Sequence, residues 1–156
     1  MDLGRALAAV FSASIARAEA VSALLLQGDL GSGKTTLVRG LVESLPGAEQ
    51  AEVSSPSFNI CNLYPTTPPA AHFDLYRLEG MEPDEALFDC FDDPAVLTIV
   101  EWIQFLSEKN WPEDAVFLHW TPPDTGRNLI LHAMGKAADL LETELREKLQ
   151  HLIQPN

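Results

Sequence analysis

The chain has 156 residues, 46% of them apolar, enough to close a hydrophobic core and too many for a disordered polymer. Asp and Glu outnumber Lys and Arg 23 to 10, for a formal net charge of −13 at pH 7. That excess excludes a protein whose main task is to grip nucleic acid through a broadly basic surface, and any anion must be held by local geometry.

Residues 2–19 carry Leu3, Leu7, Val10, Phe11, Ile15 and Ala18 at helical spacing, with Arg5 and Ser12 off that face. The segment is expected to be an amphipathic helix with Asp2 as N-cap, in preference to a signal peptide. Residues 22–27, SALLLQ, form a short apolar run closed by Gly28 and are expected to be a buried strand. KTTLVRGLVESL then places Leu37, Val38, Leu41 and Leu45 on one helical side, stopped by Pro46-Gly47. SFNICNLY over 57–64 is a weaker strand signal, and residues 65–71 form a proline-rich loop. HFDLYRL, 72–78, alternates as a strand, with Phe73 and Leu75 opposite His72, Asp74 and Tyr76.

EPDEALFDCFD starts a helix with an acidic signal at Pro83. AVLTIVEW is the most strand-like stretch and runs into Glu101. AVFLHWT and RNLILHAM flank the turn PPDTG and are expected to pair antiparallel. Residues 136–154 read as a long amphipathic helix on Ala138, Leu141, Leu145, Leu149 and Leu152. No internal repeat or linker divides the chain, so a single α/β domain over 1–156 is expected. No apolar run approaches the ~20 residues of a membrane span. Cys61 and Cys90 suggest neither a metal site nor a disulfide framework, so a reducing cytoplasm is the expected setting.

GDLGSGKT, residues 28–35, satisfies G-x-x-x-x-G-K-[ST] between an expected strand and an expected helix. Gly28, Gly31 and Gly33 keep side chains out of a tight loop whose backbone N–H groups, with Asp29, Leu30, Ser32 and Thr36, can surround phosphates. Lys34 places a point charge on the β- and γ-phosphates, and the Thr35 hydroxyl can ligate Mg²⁺. The bound species is therefore expected to be a nucleotide.

Such a metal site is completed by a carboxylate at the carboxyl end of a strand, where α/β sheets hold ligands. Glu101 has that position. Asp74 competes with it, because an aspartate inside a strand is disfavoured unless it serves the metal or the attacking water; otherwise it is a solvent-facing residue of an edge strand. Ser55 and Ser57, in SSPSF, could order around a γ-phosphate or simply form a Ser-Pro turn. Trp102 reads as a core residue at a strand end. The four histidines lack ligand spacing, so no zinc site is expected.

GDLGSGKTT, SPSFN, HFDLYRL, EALFDCF and VEW occur here in the order that resembles the TsaE (formerly YjeE) P-loop ATPases, over about residues 2–135. The resemblance implies a P-loop NTPase fold with a mostly parallel central sheet, antiparallel edge strands and helices on both faces. It implies ATP and Mg²⁺ as cofactors, with residues 28–36 as the phosphate loop and Thr35 and Glu101 on the metal. It also implies an acidic residue needed for activity at Asp74, a switch-like element at 55–58, a tryptophan beside the metal at Trp102 and a nucleotide-contacting arginine at Arg127. Lys34, Asp74 and Glu101 are thus the expected catalytic set.

The implied role is an ATPase that docks on the TsaD–TsaB complex while it installs threonylcarbamoyl on tRNA adenosine 37, meeting tRNA only indirectly. Members usually carry a short strand and turn that help hold the adenine before the first helix; this sequence starts within the helix. Ser57 stands where threonine is usual, and Ile103 where proline is common. A small-molecule kinase is the rival reading, but after Arg77 only Arg127 and Arg146 could furnish its lid. A module that binds nucleotide without hydrolysing it is a third. The absence of N-K-x-D argues against GTP.

Overall fold

The structure is a computed structural model and describes residues 2–19, 21–56, 60–122 and 128–151. In chain order the elements are α1 (Leu3–Ala16), β1 (Ala23–Gln27), α2 (Lys34–Val42), β2 (Cys61–Tyr64), β3 (Ala70–Asp74), α3 (Glu85–Asp92), β4 (Leu97–Glu101), β5 (Ala115–Trp120), β6 (Leu129–Met134) and α4 (Lys136–Lys148). The strands form one sheet in the order β2-β3-β4-β1-β5-β6. β3, β4, β1 and β5 run parallel, and β2 and β6 pair antiparallel at the two edges. The expected mostly parallel sheet with antiparallel edges is what the chain builds.

Parallel neighbours need crossovers, and the crossing helices cover both faces. Alternation along each strand sorts side chains between two cores. Leu24 and Leu26 of β1, Leu97 and Ile99 of β4, and Val116 and Leu118 of β5 pack with α1, α2 and α4. Ala23, Leu25, Phe73, Val100 and Ala115 face the other way, toward Leu87 of α3 and the 3₁₀ turn Ile103–Phe105. Glu101 follows Leu97 and Ile99 at period two and so lies on the α2 side, at the carboxyl end of β4.

Several boundaries differ from the sequence reading. α1 stops at Ala16, and its N-cap is Asp2 as expected, accepting from the Arg5 N–H at 2.9 Å. α2 ends at Val42, before the Pro46-Gly47 stop. Asp84, not Pro83, starts α3: its side chain accepts from the Ala86 N–H, a bond proline's ring cannot supply. HFDLYRL is not one strand. β3 ends at Asp74, and Tyr76–Leu78 turns as a 3₁₀ helix. Nor is β3 an edge, the alternative left open for Asp74, since β2 and β4 flank it, and His72 is wholly buried. β2 covers 61–64 of the expected 57–64, with 57–59 outside the described residues, as are 123–127 between β5 and β6; α4 ends at Lys148, capped at Leu149, short of the expected 154. Among the described residues no helix is long and apolar enough to cross a membrane.

α1 and α2 touch at a glycine pair. A Cβ on Gly4 would sit 2.7 Å from the Gly40 carbonyl carbon and 2.8 Å from Leu41 N, both backbone atoms. A Cβ on Gly40 would meet nothing nearer than Gly4 Cα at 4.0 Å. Helix propensity favours alanine by about 0.8–1 kcal/mol at either place, but overpacking rigid backbone costs about 1–3 kcal/mol. Gly4→Ala should therefore lower unfolding free energy in urea by about 1–2 kcal/mol, while Gly40→Ala should raise it by up to about 1 kcal/mol. Equal effects of the two substitutions would contradict the close crossing.

Candidate functional site

β1 delivers the chain into the loop at residues 28–33, and α2 begins immediately after it. Gly31 and Gly33 adopt φ of +73° and +106°, and a Cβ at either would meet open space. Their requirement is conformational, since other side chains rarely adopt that region. Gly28 is required by space: a Cβ there would approach Ser32 Oγ to 2.8 Å and Trp120 Cβ to 2.9 Å. α2 has no side-chain cap. The N–H groups of its first turn lack intrahelical acceptors and form a positive end directed at the loop.

Lys34 is the first residue of α2 and is 5% exposed. Its ammonium donates to the carbonyl oxygens of Gly28 (2.6 Å) and Asp29 (2.8 Å) and to Ser32 Oγ (3.2 Å). It also lies 4.1 Å from the centre of the Trp102 ring. Burial pushes its pKa below the ordinary lysine value, and the charges of Glu101, Asp74 and Asp29 partly offset that.

One residue on, Thr35 Oγ1 donates to Glu101, with Oε1 at 3.0 Å and Oε2 at 3.2 Å. Glu101 is 2% exposed. Cross-strand register sets Leu26 beside it on β1 and Asp74 beside it on β3. Asp74 Oδ2 accepts from Ser55 Oγ at 2.7 Å and Oδ1 from the Tyr76 N–H at 2.9 Å. Trp102 follows with left-handed φ of 60°. Its ring stacks on Phe105 at 5.6 Å and tilts against Tyr76 at 4.7 Å.

These groups line one cleft of about 320 Å³, with Leu30, Gly31, Ser32, Gly33, Lys34, Thr35 and Thr36 on one side and Ser55, Asp74, Tyr76, Glu101 and Trp102 on the other. The sequence-predicted Lys34, Asp74 and Glu101 thus come together, as do Ser55 and Trp102. Gly28 and Asp29 stand behind the cleft, with their carbonyls turned to Lys34. Ser57 and Arg127 lie outside the described residues.

The Thr35 hydroxyl and the Glu101 carboxylate put hard oxygens together at the cleft, a donor set that suits Mg²⁺, which keeps several of its own waters. Among the described residues no cluster of three or more His, Cys, Asp and Glu offers an all-protein metal cage. The sequence reading missed His72 and Tyr64. His72 Nε2 lies 2.8 Å from Glu101 Oε1, and its Nδ1 lies 3.1 Å from Tyr64 Oη. Period two already placed His72 on the side of Asp74; which helix covered that side was not in the pattern.

Residues 2–129 match the family described as "Threonylcarbamoyl adenosine biosynthesis protein TsaE". The tRNA threonylcarbamoyladenosine biosynthesis protein TsaE of Bacillus subtilis (strain 168) is 34% identical over 123 residues, 78% of this chain and 76% of that one. The protein of the same name from Synechocystis is 42% identical over 90 residues, 54% of this chain and 56% of its own length. That from Streptomyces coelicolor is 38% identical over 106 residues, 65% of each. The match thus spans little more than half of the Synechocystis protein and about two thirds of the Streptomyces one. The crystal structure of Bacillus subtilis YdiB superposes with a TM-score of 0.63 at 26% identity, covering 95% of this chain and 91% of that chain.

Because the native Lys34 pKa lies below its unfolded value, the native state gives up this proton first as pH rises. The unfolded chain then binds more protons, and stability climbs between the native pKa and about 10.4. Unfolding free energies of the wild type and Lys34→Met, compared from pH 7 to 10.5, should diverge in the wild type's favour as pH rises. A difference that stays constant would contradict the buried ammonium.

Proposed function

The chain belongs to the TsaE family, and on that premise we propose that it binds Mg-ATP at the 28–36 loop and hydrolyses it in support of tRNA threonylcarbamoyladenosine formation. The observation that carries the reading is the Thr35–Glu101 contact beside the uncapped start of α2. It sets an anion-binding helix end and a cation-binding oxygen pair side by side, the combination a metal triphosphate requires.

In this reading the loop amides and the positive end of α2 receive the phosphates. Lys34 exchanges the carbonyls of Gly28 and Asp29 for phosphate oxygens and stabilises the charge that grows on the transferred group. Thr35 and Glu101 would hold Mg²⁺, which when bound neutralises charge on the phosphate oxygens. Asp74 is held from both sides by Ser55 and the Tyr76 amide, and it orients the attacking water. Trp102 covers the lysine and narrows the entry of solvent. Ser55 ties the preceding segment to Asp74 and gives that segment a means of registering the terminal phosphate.

The partners in this proposal are TsaD and TsaB, on which the chain docks and which stimulate turnover. A net charge of −13 suits a protein that approaches tRNA through them.

Phosphate release from Mg-ATP should rise when the TsaD–TsaB pair is added and should not depend on a small hydroxyl acceptor. Lys34→Ala should lower kcat by at least about 10²-fold, the usual cost of removing one such stabilising donor. Asp74→Asn should lower kcat with little change in nucleotide affinity. Release indifferent to the partner pair but accelerated by a hydroxyl acceptor would overturn the assignment in favour of a kinase.

A further inference from the structure

Glu101 is fixed by more than Thr35. Tyr64 of β2, His72 of β3 and Glu101 of β4 lie in a row on the sheet face that α2 covers. Asn62 is opposite His72 and His72 opposite Ile99, so period two brings the three side chains to one side. His72 is wholly buried, Glu101 is 2% exposed and Tyr64 4% exposed. Among the described residues no buried side-chain polar atom lacks a partner. The row is a closed chain of hydrogen bonds.

Counting hydrogens fixes the direction of the contact at Glu101. A carboxylate that ligates a cation accepts only, so the hydrogen between His72 Nε2 and Glu101 Oε1 belongs to the imidazole. The facing contact, Nδ1 to Tyr64 Oη, is 3.1 Å. Tyr64 has one hydrogen and two acceptors in reach, Nδ1 and the Ser54 carbonyl at 3.4 Å. The Ser54 carbonyl already accepts from Asn62 Nδ2 at 3.1 Å. The phenol oxygen thus bridges the Ser54 carbonyl and Nδ1. Burial also pushes the Tyr64 phenol pKa up and keeps it a donor. His72 thus donates from Nε2 to Glu101 Oε1, and its Nδ1 faces Tyr64 Oη.

The consequence falls on the two oxygens of Glu101. Oε1 takes His72 at 2.8 Å and Thr35 at 3.0 Å, whereas Oε2 takes only the longer Thr35 approach of 3.2 Å. We propose that His72 is the positioning residue of Glu101. Its Nε2–H saturates Oε1 and fixes the carboxylate plane, so that Oε2 keeps lone-pair capacity for the divalent cation. Tyr64 holds the ring from the far side. Outer partners of this kind commonly govern how well a first ligand binds its metal. The inference rests on the Mg-ATP reading of the cleft.

The test is calorimetric titration of the full chain with a non-hydrolysable ATP analogue, in Mg²⁺ and in EDTA, on wild type, His72→Leu and His72→Gln. The wild type should bind more tightly with Mg²⁺. His72→Leu should lose about 10–100-fold of that enhancement, with affinity in EDTA unchanged. His72→Gln, which keeps an N–H donor, should recover most of it. Independently, ¹⁵N spectra of the ligand-free wild type should show a proton on His72 Nε2. A wild type without Mg²⁺ enhancement removes the functional reading and this inference with it. A wild type with enhancement and a His72→Leu equal to it overturns this inference alone, as does an Nδ1–H tautomer. If His72→Leu does not fold, a folded His72→Gln without enhancement gives the same contradiction.

Discussion

The hydrogen bond from Thr35 to Glu101 is the contact on which the rest of this structure turns. It joins the first turn of α2 to the last residue of β4, two pieces of chain 66 positions apart. Three things must be right for it to form. The β1–β4 register must set Leu26 beside Glu101, the β3–β4 register must set Asp74 there, and α2 must leave β1 at the angle fixed by its glycine crossing with α1. The contact also answers an energetic problem. An ionised carboxylate taken out of water costs several kcal/mol after relaxation, and only well-made donors offset that. Thr35 and His72 are those donors.

The lysine shows the same economy. The Lys34 ammonium bonds two carbonyls and a hydroxyl and lies over an indole face. The loop is thereby held in shape by the lysine that follows it. Trp102 contributes through an unfavourable backbone. A left-handed conformation costs a non-glycine residue about 1–2 kcal/mol. Here it turns the indole back over Lys34, and packing against Tyr76 and Phe105 offsets the cost, such ring pairs contributing about 0.5–1.5 kcal/mol each.

What could be read from the residues followed the range of the signal. The phosphate-loop spacing, the strand before it and the helix after it are local, and all three are where the pattern put them. Glu101 was legible because it ends the strand-like run AVLTIV. The antiparallel pairing of β5 and β6 was legible because their turn is short. Non-local facts were not. Nothing in HFDLYRL says that β2 and β4 flank it, so a solvent-facing edge position for Asp74 stayed open as an alternative, whereas the strand is interior and His72 is buried. The same segment was read as too long a strand. Leu75 N still bonds to the Glu101 carbonyl at 3.1 Å, but Asp74 Oδ1 then captures the Tyr76 amide and turns the chain. A local side-chain bond beat the alternation, as it did where Asp84 rather than Pro83 opened α3.

The central claim is that Lys34, Thr35 and Glu101 form one site for a metal triphosphate. A crystal structure of the full chain grown with Mg²⁺ and a non-hydrolysable ATP analogue tests it most directly. The account predicts phosphates among the amides of residues 28–36, the Lys34 ammonium moved off the Gly28 carbonyl, and one cation in contact with both Thr35 Oγ1 and a Glu101 oxygen. Phosphates bound elsewhere, or a cation that touches neither side chain, would contradict it.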